Sequence, residues 1–408
     1  MLKKRTIGLL AVAFLVSGCA QLSAFLDKQT PTAQASDAPG EAAVEPPDQS
    51  PNQPLATTAA PQPAQDTAPN QVASSAANDA LPQAGSATAS QLTQSPTASD
   101  ASFDENADVG AIAPGSPAAE QATPPHAVAP PTAQPTSGQP ALWRASRGET
   151  DAYLFGAIHT LPNNTQWKTT TFLAAMADAE VTVLEADTSS PDALSEMNSA
   201  AGAFGFYRDG RTLQSVVGLN RAERLRAIAE ASGVETASLN MMKPWLATLL
   251  VTQALLTDAG FDTSASVDAA VGRQAMAEGD RLAYLETPVF QIEEVLAALD
   301  EGETLVNFDL TLSQFNDFET LVRRLFNAWL AGDTKILEEE IIAELRATAP
   351  KSFKTLFTDR NETWTSYIAE ALLGQDDLFI AVGAGHLIGD GSVIEMLRDR
   401  GYTVERIQ

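Results

Sequence analysis

Proline and aromatic residues divide this chain in two. Of its 24 prolines, 19 fall between Pro31 and Pro140, whereas all five tryptophans and all five tyrosines lie after Pro140. The remainder of the proline-rich stretch is mostly Ala, Ser, Thr, Gln and Asp. A segment of that composition buries too little apolar surface to offset its ordering entropy. Residues 19–140 therefore read as a long disordered tether, with a coil dimension on the order of 60 Å for about 120 residues. Only residues 141–408 can build a packed core, and that length suits one α/β domain carrying a helical insertion.

Ahead of the tether, Lys3-Lys4-Arg5 precedes an apolar run from Ile7 to Val16 and then Ser17-Gly18-Cys19. This is the layout of a secretory signal, residues 1–18, and the run is too short for a permanent membrane span. Val16-Ser17-Gly18-Cys19 resembles a bacterial lipobox. The resemblance implies a lipidated Cys19 that holds the chain on the membrane. With Ala20 rather than Asp following, it implies an outer-membrane lipoprotein facing the periplasm. The bland reading is an ordinary signal peptide with an incidental cysteine. Cys19 is the only cysteine in 408 residues, so the domain has no internal disulfide, no cysteine metal cage and no thiol nucleophile. Acidic residues outnumber basic ones 52 to 25, and no basic cluster follows the signal, which argues against nucleic acid as a partner.

Within 141–408 there are two histidines, His159 and His386, and each closes a Gly-x-x-His pattern after an apolar run. Gly156-Ala157-Ile158-His159 follows Tyr153-Leu154-Phe155, and Gly383-Ala384-Gly385-His386 follows Leu378 to Val382. Two more short runs end in carboxylates, Val181 to Leu184 in Glu185 and Arg281 to Leu285 in Glu286. Short strands separated by helical stretches predict a mixed central sheet with helices on both faces. In open sheets of this kind ligands bind beyond the carboxyl ends of the strands. The first two strands, Ala141 to Ser146 and Ala152 to Phe155, flank a polar turn over residues 147–151. Residues 192–260 read as the helical insertion, with Pro244 opening one helix. Further helices are expected at 169–179, 303–330, 334–345 and 362–373. A last helix starts at Asp390-Gly391-Ser392 and a final strand covers 402–406.

Two neutral imidazoles and a carboxylate can hold a divalent metal with one position open, which makes a nucleophile of its bound water. His159, Glu185 and His386 supply that minimum set. Without a metal, one histidine could act as a general base on water, with a carboxylate orienting it. Glu185 could also be a helix cap, a role Asp187-Thr188-Ser189 could fill instead. Glu286 could support the site or cap the helix after Thr287-Pro288. Arg360 with Asn361, read as lying just before a helix, could orient a substrate oxyanion or pair with a carboxylate. Trp245, Trp329 and Trp364 read as core or lid packing. The P-loop, the Gly-x-Ser-x-Gly elbow and His-Glu-x-x-His are missing. His126, in the tether, has no expected role.

With those residues in place, the domain resembles the TraB/GumN family, related to the Tiki metalloproteases and to the ChaN and erythromycin-esterase group. The resemblance rests on Leu154-Phe155-Gly156-Ala157-Ile158-His159, Leu184-Glu185, Lys243-Pro244-Trp245, Val267-Asp268, Leu285-Glu286-Thr287 with Gln291, Arg360-Asn361 with Trp364, and Val382 to Leu387. It implies an α/β fold and metal-dependent cleavage of peptide or protein substrates by His159, Glu185 and His386. Glu286, Arg360 and Asn361 would support them. The ChaN relatives imply an alternative, a lipoprotein that binds haem or another iron compound. A binding module for haem or a peptide signal, using the same cleft without turnover, is the corresponding reading. A third reading is a structural lipoprotein whose tether spans the periplasm.

Overall fold

The computed structural model describes residues 136–408 other than 263–264 and 301–302. The expected signal segment, Cys19 and the expected tether up to residue 135 lie outside the described residues. Residues 136–140, read from sequence as the end of the tether, are held on the domain. Gly138 N–H donates to Gln166, Gln166 N–H to Thr136, and Gln139 N–H to Leu330, closing at 2.7–3.1 Å.

Six strands form one sheet in the order β6-β4-β7-β2-β1-β8. They are β1 (Leu142–Arg147), β2 (Thr150–Ala157), β4 (Val181–Leu184), β6 (Arg281–Tyr284), β7 (Leu378–Gly383) and β8 (Thr403–Arg406). The pairs β6/β4, β4/β7 and β7/β2 are parallel, while β1 is antiparallel to both β2 and β8. Helices cover both faces, as the spacing of the runs predicts. β7, Leu-Phe-Ile-Ala-Val-Gly, is buried at every position, the apolar pattern of a central parallel strand. The edge strands β6 and β8 are mostly polar or partly exposed. The β1–β2 turn is tighter than the sequence suggests. Arg147 pairs with Thr150, leaving Gly148 and Glu149 to make the turn, and Gly148 takes a left-handed φ of 66° that suits glycine.

Phe155 of β2 packs on Trp167, Phe172 and Phe379 with ring centroids 4.9–6.3 Å apart. Each fully buried phenylalanine here contributes about 1.5–3 kcal/mol. The helix Phe318–Leu330 buries Phe318, Val322, Leu325, Phe326 and Trp329, the spacing of one helical face. Trp329 Nε1 then donates to the Gly156 carbonyl at 2.8 Å, tying that helix to the start of the first Gly-x-x-His.

Between β4 and β6 lie the helices Pro191–Phe204, Leu213–Val217, Leu219–Ala231, Pro244–Asp258 and Val267–Glu278. The first four lie within or beside the expected insertion at 192–260, with Pro244 at a helix start, whereas the helix Val267–Glu278 lies beyond it and is not expected from sequence. A second helical stretch, Pro288 to Ala371, separates β6 from β7. The single helix expected over 303–330 is two, Thr304–Gln314 and Phe318–Leu330, joined by a tight turn at Phe315–Asp317. Short π-helical segments occur at Gln291–Leu296, Glu338–Ile342 and Lys354–Thr358. Two small strands not expected from sequence, β3 (Leu161–Pro162) and β5 (Phe261–Asp262), pair antiparallel. Among the described residues no helix is long and apolar enough to cross a membrane.

Candidate functional site

The four parallel strands β2, β7, β4 and β6 end at one edge of the sheet and deliver His159, His386, Glu185 and Glu286 there. The β4/β6 ladder runs on past both strands: Leu285 N–H donates to Leu184 and Glu286 N–H to Glu185, at 3.0 and 2.8 Å. That continuation sets the two glutamates side by side. Glu185 is therefore a member of the strand-end cluster and not a helix cap. The next helix, Pro191–Phe204, is capped by Ser190, whose side chain accepts from Ala193 N–H.

The glycines of the paired motifs have separate jobs. A Cβ on Gly156 would stand 3.1 Å from both Cα and Cβ of Ala384, so the first motif needs a bare backbone where the second crosses it. Gly383 N–H donates to Glu185 Oε1 at 2.6 Å, fixing the carboxylate across the β4/β7 pair.

The helix Asp359–Ala371 presents Arg360, Asn361 and Trp364 to this edge, all 1–3 % exposed. It begins earlier than the sequence suggests, so Arg360 and Asn361 lie within its first turn and not before it. Arg360 makes five polar contacts. Its Nε donates to Glu286 Oε1 at 2.7 Å, Nη2 to Glu286 Oε2 at 2.9 Å and Glu185 Oε2 at 3.2 Å, and Nη1 to the Leu356 carbonyl and His386 Nε2, both at 3.1 Å. The fork onto Glu286 is bidentate, the strongest form of this pairing. Gln291 Nε2 donates to Oε2 of both glutamates at 3.3 Å. Trp364 Nε1 donates to Glu286 Oε1 at 3.0 Å. Two of the three π segments thus touch the network, one through Gln291 and one through the Leu356 carbonyl. Such segments often mark functional sites.

His386 follows β7 in the short turn Ala384–Leu387. Its ring lies between Trp364 and Phe357, with centroids 4.3 and 4.9 Å away. Asn361 Nδ2 donates to the Gly391 carbonyl, so Oδ1 faces the imidazole and accepts from Nδ1–H at 2.6 Å. Burial, with the Arg360 charge second, drives the His386 pKa well below its ordinary 6.5. The ring is neutral and its Nε2 lone pair is directed at Arg360. Burial also pushes the Glu185 carboxyl up, against the pull of Arg360 and His159.

His159 has a different partner. Its Nδ1–H donates to Asp268 Oδ2 at 2.5 Å, with both side chains buried. Asp268 lies in the first turn of the helix Val267–Glu278. That helix start is pinned beside the motif because Val267 N–H donates to the Ile158 carbonyl at 3.0 Å, and Thr160 Oγ1 donates to the Asp262 carbonyl at 3.0 Å. In the sequence Asp268 stands out only within the family pattern Val267-Asp268. Its one further signal, an acid in a helix first turn, reads equally well as helix-dipole complementation.

The structure thus gathers Glu185, Glu286, Arg360, Asn361 and His386 into one network at the strand ends. His159 lies near enough to influence the charge of Glu185 and His386. His159, Glu185 and His386 do not form a metal-holding set: among the described residues no group of three His, Cys, Asp or Glu side chains is placed to bind a cation. The positive charge between Glu185 and His386 is the Arg360 guanidinium, which also faces His386 Nε2. Trp364 and Phe357 pack on the His386 ring and Arg360 faces its Nε2.

A profile of the TraB/PrgY/gumN family matches residues 141–406. The chain belongs to this family. The TraB/PrgY/gumN match covers the whole six-stranded sheet and every site residue described above. Among curated relatives, the uncharacterized protein YbaP of Shigella flexneri is 22 % identical over 259 residues, 64 % of this chain and 92 % of that protein. YbaP of Escherichia coli (strain K12) matches with the same identity and coverage. No solved structure matches.

Proposed function

We propose that this TraB/PrgY/gumN protein is a hydrolase directed at peptide bonds, in which His159 activates the attacking water as a general base. The observation that carries the reading is the buried 2.5 Å contact between His159 Nδ1 and Asp268 Oδ2. A carboxylate on Nδ1–H fixes the tautomer and stabilises the imidazolium that forms when Nε2 takes a proton. Arg360 contributes by its field, since its N–H groups are engaged by Glu185, Glu286, Leu356 and His386. A fixed positive charge in a dry site favours the oxyanion of a tetrahedral intermediate. No step runs through a metal ion here, since Arg360 engages two of the three donors expected to hold one, Glu185 and His386.

Incubating the full chain with a peptide mixture and reading cleavage by mass spectrometry tests this. Wild type should cleave, and His159→Ala should lose about 10²–10⁴-fold in rate. Equal cleavage by both, or none by wild type, sinks the reading.

The burial of the site favours a second reading, capture of a peptide signal without turnover. Glu185 and His386 are each 1 % exposed and Arg360 is 3 % exposed. Peptide binding by wild type without any cleavage would select it.

We propose further that the chain is anchored through Cys19 and works at the outer membrane facing the periplasm. Val16-Ser17-Gly18-Cys19 supports this. Cys19→Ser should move the protein from the membrane fraction to the soluble periplasm; an unchanged membrane fraction would exclude the anchor.

A further inference from the structure

A small cleft open to solvent lies against Asp268. Leu184 and Tyr284 from the ends of β4 and β6 line it, with Asp187 from the following loop, and Asp268, Gly272 and Met276 from the helix Val267–Glu278. Asp268 is 7 % exposed and gives Oδ2 to His159, while its Oδ1 accepts no hydrogen bond from any described residue. A buried carboxylate oxygen left in that state is costly, and a donor brought by a ligand removes the cost.

The second carboxylate, Asp187, accepts at Oδ1 from Ser189 N–H, Ser189 Oγ and Ser190 N–H. The rest of the wall sets Leu184, Leu282, Met276 and Tyr284 beside the polar Thr188, Ser189 and Arg273. Met276 and Tyr284 are 56 % and 37 % exposed, and a Cβ on Gly272 would meet Leu184 Cδ1 at 3.1 Å, so glycine keeps the floor open. Arg273 also lines the cleft, and its guanidinium lies close enough to Lys168 to help lower that amine's pKa, after burial. Two acids beside an aliphatic wall suit a cation on an apolar stem. The chain's formal net charge of −27 favours the approach of such a ligand.

We infer that this cleft is a specificity pocket for a basic side chain of the substrate, an ammonium or guanidinium whose N–H groups reach Asp268 Oδ1 and Asp187 while its stem packs on Met276, Leu184 and Tyr284. The inference deepens the proposed hydrolase reading and names the residue class beside the cleaved bond. It also makes Asp268 the point where substrate recognition meets the base, since one carboxylate oxygen serves each.

Ligand-observed NMR on the full chain tests the pocket without requiring turnover. The probes are Nα-acetyl-lysine amide, Nα-acetyl-norleucine amide and Nα-acetyl-glutamate amide. The lysine derivative should bind about tenfold or more tightly than the norleucine one, a step of about 1.4 kcal/mol, and the glutamate derivative should not bind. Met276→Lys, which adds a like charge at an exposed position, should weaken lysine-derivative binding about tenfold or more. Met241→Lys, the same change at an exposed methionine outside the cleft lining, should leave it within about twofold of wild type, against the same tenfold scale. Equal binding of lysine and norleucine derivatives, no binding of the lysine derivative, or indifference to Met276→Lys overturns the pocket. Lysine-selective binding with no cleavage of any peptide keeps the pocket and removes the hydrolase reading. The two can therefore fail separately.

Discussion

Arg360 Nη1 and His386 Nε2 stand 3.1 Å apart, and a guanidinium can only donate. His386 is thereby fixed as a neutral imidazole with its proton on Nδ1, facing Asn361. The Gly-x-x-His pattern that looked like two equivalent ligands is, in the folded chain, two histidines in different roles. His159 is poised against a carboxylate and His386 is locked beside a cation.

The lock has a pH signature. In the unfolded chain His386 takes a proton near its ordinary 6.5, whereas in the folded chain burial and Arg360 keep it neutral well below that. The unfolded state then binds more protons, so this group removes stability as pH falls below about 6.5. Glu185, pushed up by burial, tilts the other way, so a comparison of variants isolates the histidine. Denaturation midpoints between pH 7.5 and 5 should fall more for wild type than for His386→Gln; equal slopes would mean that His386 protonates freely in the fold.

Arg360→Met leaves Glu185 and Glu286 buried without the cation that pairs them. Breaking a buried pair by removing one partner costs about 3–5 kcal/mol. Urea unfolding should show a loss of that order, and a loss under about 1 kcal/mol would mean that water or another cation replaces the guanidinium.

Gly156→Ala tests the crossing of the two motifs. Its Cβ would press on Ala384 at 3.1 Å, and overpacking a tight contact costs about 1–3 kcal/mol. Thermal unfolding should report this, together with a shift in signals from His386, two residues beyond Ala384. An unperturbed variant would mean that the β2 and β7 ends have room to separate.

Asp268→Asn separates orientation from packing. The amide keeps the volume but cannot stabilise an imidazolium as a carboxylate does, so turnover should fall about 10²–10⁴-fold. Binding of peptide fragments that do not reach the Asp268 cleft should hold. A fall in such binding with no change in turnover would make Asp268 a purely structural partner of His159.

How much of this was legible in the sequence depends on chain distance. The strand ends were readable because each reactive residue directly follows its own apolar run, and a parallel sheet carries such ends to one edge. The sheet and the insertion followed from the same runs. What pairs with what was not readable: Arg360 meets Glu286 and Glu185 across 74 and 175 residues, and Asp268 meets His159 across 109. Asp268 also resembles any acid in a helix first turn. Trp364 was read as packing, which it is, but its indole N–H also binds Glu286. The contact between Arg360 and His386 was unreadable for a similar reason, since nothing local to His386 shows that a cation from a distant helix faces its Nε2.

The most direct test of the central claim is peptide cleavage by the full chain after exhaustive chelation, with metal content measured on the same sample. Metal-free wild type should cleave at the rate of untreated protein, while His159→Ala should be slower by about 10²-fold or more under both conditions. A wild type that is silent without metal and recovers on addition of a divalent ion would contradict the account, because Arg360 would then have to leave His386 for catalysis to occur.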